Sequence, residues 1–229
     1  MIVYAIGDLH LPGGDDKPMA VFGAHWEGHW EKICQDWRAR VTAQDVVLIP
    51  GDISWAMQLE HALDDLHAIA ALPGRKILLR GNHDYWWTSL AKMQKCFGEH
   101  FEFLQNGCIM VGDIAVCGTR GWLLPSAEAF SAEDEKIYRR EAIRLELSLQ
   151  AAAKQKPAAI IAAFHYPPLF ARTEHTAFTN LLHNYGVQHC LYGHLHGENH
   201  ISAFEGLREG IRYKLVSCDT QGFELYKVI

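Results

Sequence analysis

Residues 46–54, VVLIPGDIS, run four apolar side chains together, stop at Pro50-Gly51 and then deliver a carboxylate, Asp52. A short apolar run without polar alternation reads as a strand buried on both faces. The same grammar recurs in MIVYAIGDLH at 1–10, KILLRGNHD at 76–84, AIIAAFHYPP at 159–168 and VQHCLYGHLHG at 187–197. Strands are therefore expected at 2–6, 46–49, 76–79, 158–163 and 187–192, each running into a polar block. Between the first two, Trp26, Trp30, Ile33 and Trp37 recur at i, i+4, i+7 and i+11, which predicts one helix with that face buried. A second helix is expected over 59–72, ending at Pro73-Gly74. Strand and helix thus alternate, as in an α/β fold whose parallel strands gather their functional loops at their carboxyl ends.

The second half changes rhythm. Short strands at 101–104, 108–111 and 114–117 are separated by Asn106-Gly107 and Gly112-Asp113, both hairpin signals. A long helix is expected over 131–154, with Ser131 and Asp134 as a capping-box variant and Tyr138, Ala142, Leu145, Leu149 and Ala152 as its buried stripe. Residues 201–229 suggest terminal antiparallel strands. No repeat, low-complexity tract or linker interrupts the chain, so residues 1–229 are expected to form a single domain.

Composition narrows the functional classes. The 229 residues are 49% hydrophobic and 21% charged, which excludes a disordered or fibrous chain. The formal charge of -6 offers no bulk attraction to nucleic acid or anionic membrane, so an anionic substrate has to be captured locally. The apolar runs fall far short of the roughly 20 residues a membrane helix needs. The N-terminal residues read as a strand and not as a signal peptide, and the expected location is the cytoplasm. Six cysteines without a C-x-x-C pair suit reduced thiols.

The unusual count is 14 histidines. Five of the expected strand ends carry metal-type ligands: Asp8 and His10, Asp52, Asn82 with His83 and Asp84, His165, and His194 with His196. One such block alone means little, since Gly-Asp turns close many strands and single histidines are common in cores and on surfaces. Five at one topological position converge on one crevice. Carboxylate, amide oxygen and imidazole without thiolate favour a hard-to-borderline divalent ion: manganese first, with iron or zinc as alternatives. Seven ligands exceed what one ion takes, whereas two ions sharing a carboxylate at about 3.5–4 Å use them all. Spacing does not say which carboxylate bridges.

In order, these blocks are D-x-H, G-D, G-N-H-D, H and G-H-x-H, a pattern that resembles the calcineurin-like metallophosphoesterases from Asp8 to His196. The resemblance implies a four-layer αββα sandwich. It also implies that Asp8, His10 and His196 hold one ion, that Asn82, His165 and His194 hold the other, and that Asp52 bridges them. His83 would be the non-ligand histidine facing the leaving group. GDISWAM, GNHDYWW, GTRGW and LVSCD are similar to a bacterial group of predicted phosphohydrolases. The chain departs from the protein Ser/Thr phosphatase pattern, because Leu11 follows His10, no D-R-G follows Asp52, and Asp84 stands in place of Glu. A phosphoprotein substrate is the weaker alternative to a small phosphoester.

The expected reaction is in-line attack at phosphorus by a hydroxide bridging the two ions, with His83 as general acid. Two divalent ions against Asp8, Asp52 and hydroxide leave about one positive charge to draw phosphate into an acidic protein. Asp84 either orients the His83 ring and holds it cationic or serves as a helix N-cap. Arg120 either forks onto substrate phosphate oxygens or is a turn arginine that pairs with a surface carboxylate. Tyr85, Trp86 and Trp87 fit core and lid packing better than stacking on substrate, and Tyr166 beside His165 carries the same two readings. Gly13-Gly14-Asp15-Asp16 reads as a flexible turn beside the site. A phosphodiesterase acting on nucleotides or cyclic nucleotides is the alternative enzyme, a metal-free protein-binding scaffold the alternative class, and binding to a nucleic-acid duplex is not expected.

Overall fold

The computed structural model describes residues 1–14, 19–173 and 175–229. Eleven strands form two sheets among these residues: β1 (Val3–Ala5), β2 (Val46–Pro50), β3 (Arg75–Leu79), β4 (Phe101–Leu104), β5 (Ile109–Val111), β6 (Ile114–Thr119), β7 (Ala159–Phe164), β8 (His189–Tyr192), β9 (Gly206–Arg208), β10 (Ile211–Leu215) and β11 (Tyr226–Lys227). The first sheet has the order β11-β1-β2-β3-β4 and the second β5-β6-β7-β8-β10-β9. Strands β1 to β4 run parallel, as do β6, β7, β8 and β10, while β5, β9 and β11 pair antiparallel at the edges. Five helices accompany them: α1 (His29–Arg40), α2 (Leu63–Ala70), α3 (Leu90–Phe97), α4 (Ala132–Gln155) and α5 (Ala177–Asn184).

Alternation along each strand builds the layers, because successive side chains point to opposite faces. In β2, Val46 and Leu48 face the layer between the sheets, whereas Val47 and Ile49 join the core under Ile33, Trp37, Leu66 and Met93 of the first three helices. In β7, Ile161 and Ala163 face inward while Ile160, Ala162 and Phe164 pack against Leu145, Leu149 and Phe178 of α4 and α5. Three apolar layers therefore separate four structural ones, giving the αββα sandwich. The middle layer uses Val, Ala, Ile and Leu, and truncating one of its larger side chains to alanine would cost about 2–5 kcal/mol.

The parallel strands end at a common edge, where β1 and β10 stitch the two sheets together. Gly7 N–H donates to Val216 O at 2.7 Å, and Cys218 N–H donates to Gly7 O at 3.0 Å. Helix α4 begins as its sequence requires. Ser131 Oγ accepts the Asp134 N–H at 3.2 Å while Asp134 Oδ2 accepts the Ser131 N–H at 2.9 Å.

Three expectations need correcting. Trp26 is not in α1: Gly28 takes a left-handed φ of 62° before His29, and Trp26 lies in a short 3-10 turn, Ala24–Trp26. Asn106-Gly107 closes no hairpin, because β4 and β5 belong to different sheets and this turn carries the chain across; Gly112-Asp113 does close the β5–β6 hairpin. The C-terminal strands are only partly antiparallel, since β10 runs parallel to β8. No helix of the described residues is long and apolar enough to cross a membrane.

Candidate metal centre

Four of the seven expected ligands sit on left-handed backbone: Asp8 at φ 58°, His10 at 46°, Asp52 at 50° and His194 at 72°. For a non-glycine residue this conformation costs of order 1–3 kcal/mol and clusters at functional sites. The strain is held by the strand ends themselves, through Asp8 N–H to Gly51 O at 2.9 Å and His10 N–H to Asp52 O at 3.0 Å. The glycines of the motifs make room. A Cβ on Gly81 would lie 2.1 Å from Asp52 Oδ1, and one on Gly193 2.3 Å from Asp8 Oδ2.

The side chains meet in two groups whose donor atoms lie within 4.8 Å of one another, Asp8 with His10 and His196, and Asp52 with His165 and His194. In the first, His196 Nε2 stands 3.4 Å from Asp8 Oδ1 and 3.2 Å from His10 Nε2. In the second, Asp52 Oδ2 is 3.4 Å from His165 Nε2, and Asn82 Oδ1 faces His165 Nε2 at 2.5 Å and His194 Nδ1 at 2.9 Å. Asp52 Oδ2 also approaches His10 Nε2 at 3.9 Å, so one carboxylate oxygen looks into both groups. Two imidazole nitrogens pointing at each other, and a second pair pointing at one amide oxygen, form the lone-pair crowd a cation would relieve.

Outer partners fix which nitrogen points inward. His165 Nδ1 donates to Pro50 O at 3.0 Å, and His196 Nδ1 donates to Asp219 Oδ1 at 3.0 Å, leaving each Nε2 free. Asp219, whose other oxygen accepts the Gly197 N–H at 3.0 Å, is a contributor that motif reading passed over. It stands just beyond β10 in LVSCD, a strand-end carboxylate like Asp8 and Asp52. The electrostatics fit a divalent ion. Burial, with the charge of Asp8 adding to it, pushes Asp52 up to about 8. Burial also pushes His10 and His194 down to about 3, whereas His196 rises to about 10 against its burial because Asp8 and Asp219 face it. A bound cation would favour the ionised form of Asp52 and the neutral form of His196, the forms in which each can act as a ligand.

The cleft above these donors encloses about 350 Å³. His10, His83, His194 and His196 line it together with Met19, Phe22, Trp26 and Trp55. The Trp55 ring stacks on His10 at 4.7 Å. His83 donates its backbone N–H to Asp52 Oδ1 at 2.8 Å, and its half-buried ring makes no hydrogen bond to another described residue. Burial lowers its pKa.

Asp84 does not touch the His83 ring, which corrects the expected pairing, and it caps no helix. Its buried carboxylate is filled by the N–H groups of Gly81 (2.7 Å), Asp52 (3.0 Å), Ile53 (2.8 Å) and Ser54 (3.3 Å) and by Trp86 Nε1 (3.0 Å). It clamps the loop after β2 to the loop after β3. Burial, with the charge of Asp52 added, holds its pKa up at about 6 against those donors. Arg120 is also corrected: it does not line the metal cleft. Its carbonyl accepts the N–H groups of His165 (3.2 Å) and Tyr166 (2.9 Å), and its guanidinium lies 4.6 Å over the Trp122 ring. Trp86 and Trp87 are buried, as core packing requires, while Tyr85 is 54% exposed with its ring 6.3 Å from that of His83. Tyr166 is buried with its ring 4.1 Å from His194. Gly13 and Gly14 form a turn, the Gly13 N–H reaching Asp65 Oδ2 at 2.8 Å; Asp15 and Asp16 lie outside the described residues.

No curated protein matches the chain in sequence. Among solved structures, the protein of unknown function AQ665 from Aquifex aeolicus shares the fold, with a TM-score of 0.51 at 16% identity over 99% of this chain and 95% of that one. The family model for calcineurin-like phosphoesterases matches residues 1–198, a span that contains every ligand brought together above. On that match the chain belongs to the calcineurin-like phosphoesterase family.

Proposed function

We propose that the chain is a metal-dependent phosphohydrolase acting on a small phosphoester through two divalent ions, manganese being the first choice. The observation that carries this reading is Asp52, whose Oδ2 faces both donor groups while its Oδ1 fixes the backbone of His83. Asp8, His10 and His196 would hold one ion and Asn82, His165 and His194 the other, with Asp52 shared. Bound there, such ions supply Lewis acidity toward phosphoryl oxygens and bring the pKa of water toward neutrality, as in-line displacement at phosphorus needs.

The chain's own residues complete the site. His83, in the same cleft and with no hydrogen bond from its ring to another described residue, donates a proton to the departing oxygen. Asp84 acts at one remove, by fixing the loop from which His83 and Asn82 project. The aromatic side chains Trp26, Trp55 and Phe22 in the lining favour a substrate with an apolar or aromatic body next to phosphorus.

Hydrolysis of p-nitrophenyl phosphate and bis-p-nitrophenyl phosphate by metal-stripped protein reloaded with manganese tests this reading. Metal-dependent turnover of either ester, lost in Asp52→Asn, is expected, and the better ester separates a monoesterase from a diesterase. Failure of the reloaded protein to bind metal would instead favour a protein-binding scaffold.

A further inference from the structure

A second pocket, of about 290 Å³, opens between the ends of β3, β4 and β6 and the flank of α4, and shares no lining residue with the metal cleft. Four of the chain's 11 arginines line it, Arg80, Arg120, Arg140 and Arg144, against one carboxylate, Glu141. In a protein of net charge -6 this is a local excess of three positive charges.

The arginines fall into two kinds. Arg144 Nη1 donates to Glu141 Oε1 at 2.7 Å and Arg140 Nε approaches the same oxygen at 3.5 Å, while Glu141 Oε2 accepts the Thr119 hydroxyl at 2.6 Å. Those contacts fasten α4 to β6 and use up the only carboxylate of the pocket. Arg80 and Arg120 have no carboxylate within 4.0 Å among the described residues, and the Nε of each is buried without a hydrogen-bond partner. Trp122 holds the Arg120 guanidinium by stacking on it. A buried guanidinium N–H left unpaired is costly, and two in one pocket that no structural contact explains call for an anion from outside. The size speaks for a small one, since the arginines line a pocket of about 290 Å³ and do not form a stripe along a surface. Several guanidinium forks suit the tetrahedral oxygens of a phosphate better than a single carboxylate.

We infer that this pocket is a second anion site, separate from the metal cleft, which binds the phosphate group of a small phosphorylated molecule through Arg80 and Arg120, with Arg140 at its mouth. The apolar edge of Leu79, Leu104 and Trp87 would face the rest of that molecule. The inference does not rest on the catalytic reading, because the residues involved are different.

Equilibrium dialysis of radiolabelled inorganic phosphate against the metal-loaded full chain tests it. Two classes of bound phosphate are expected. Stripping the metals removes one class, and Arg120→Gln or Arg140→Gln weakens the other by about tenfold or more without loss of bound metal. Arg140 is exposed, so its substitution spares the fold if Arg120→Gln does not, and the thermal midpoint measured without phosphate checks both. A single class, abolished by metal removal and indifferent to both arginine substitutions, would overturn the inference. A single class that survives metal removal and is weakened by the arginine substitutions would count against the proposed metal centre and leave this site standing.

Discussion

The metal cleft and the arginine pocket open at the same edge of the sandwich, yet they are built in opposite ways. The cleft gathers carboxylates and imidazoles on backbone forced left-handed at Asp8, His10, Asp52 and His194, with Gly81 and Gly193 cut back to let the carboxylates in. The pocket takes two guanidiniums from just beyond strand ends and two from consecutive turns of a regular helix. Several donors that must meet within a few ångströms require the chain to be bent out of its ordinary conformation. Long, forked arginine side chains reach a common anion from unstrained backbone. Strain thus marks the region where geometry is exacting, and charge alone marks the one where it is not.

Breaking the cleft should leave the pocket intact, and the largest effect is expected at its shared carboxylate. Asp52→Asn should lower metal content and cost several kcal/mol of transition-state stabilisation, roughly 10³-fold or more in rate. Elemental analysis beside ester hydrolysis checks both, and a variant that stays active without metal contradicts the two-ion arrangement. His83→Ala comes next, with about 10²- to 10⁴-fold lost in rate, more for poor leaving groups, and both metals retained. Metal loss in that variant would make His83 a ligand and not the acid. Asp84→Ala sharpens the difference between reacting and bracing residues. It strands buried N–H donors that cost about 1–3 kcal/mol each, so the variant should melt well below wild type. Unchanged melting with lost activity would return Asp84 to a direct role. The smallest effect is expected from Asp219→Asn, which removes the charge behind His196 and should weaken metal affinity about 10- to 100-fold while the fold persists.

The cleft was legible in the sequence because its ligands stand at fixed short offsets from apolar strands, and parallel strands must end together. That rule brought Asp8, His10, Asp52, Asn82, His165, His194 and His196 to one crevice together with His83 and Asp84, and the resemblance to the family separated the ligands from the rest. The pocket had no such signature: Arg80 and Arg120 follow strands of different sheets, and Arg140 and Arg144 stand on α4 outside its apolar stripe. Arg120 was therefore expected beside the phosphate of the reaction, on the strength of its strand-end position. Asp84 misled for a related reason, since adjacency to His83 suggested contact while the turn directs its carboxylate inward to four backbone amides and an indole. Asn106-Gly107 shows the same limit in the fold. Its residues favour a tight turn, but turn chemistry is local and does not choose which sheet the next strand enters. Helices α3 and α5 escaped because each is only 8 residues long. The four layers were expected from the resemblance to the family, and strands such as β2 and β7, apolar on both faces, fit them.

The central claim is that the two donor groups act as one binuclear centre. Titrating metal-stripped protein with manganese while following ester hydrolysis tests it most directly. Activity should stay low through the first equivalent and rise to a plateau at two metals per chain, one for each donor group. A plateau at one equivalent, or turnover by the fully stripped chain, would contradict it.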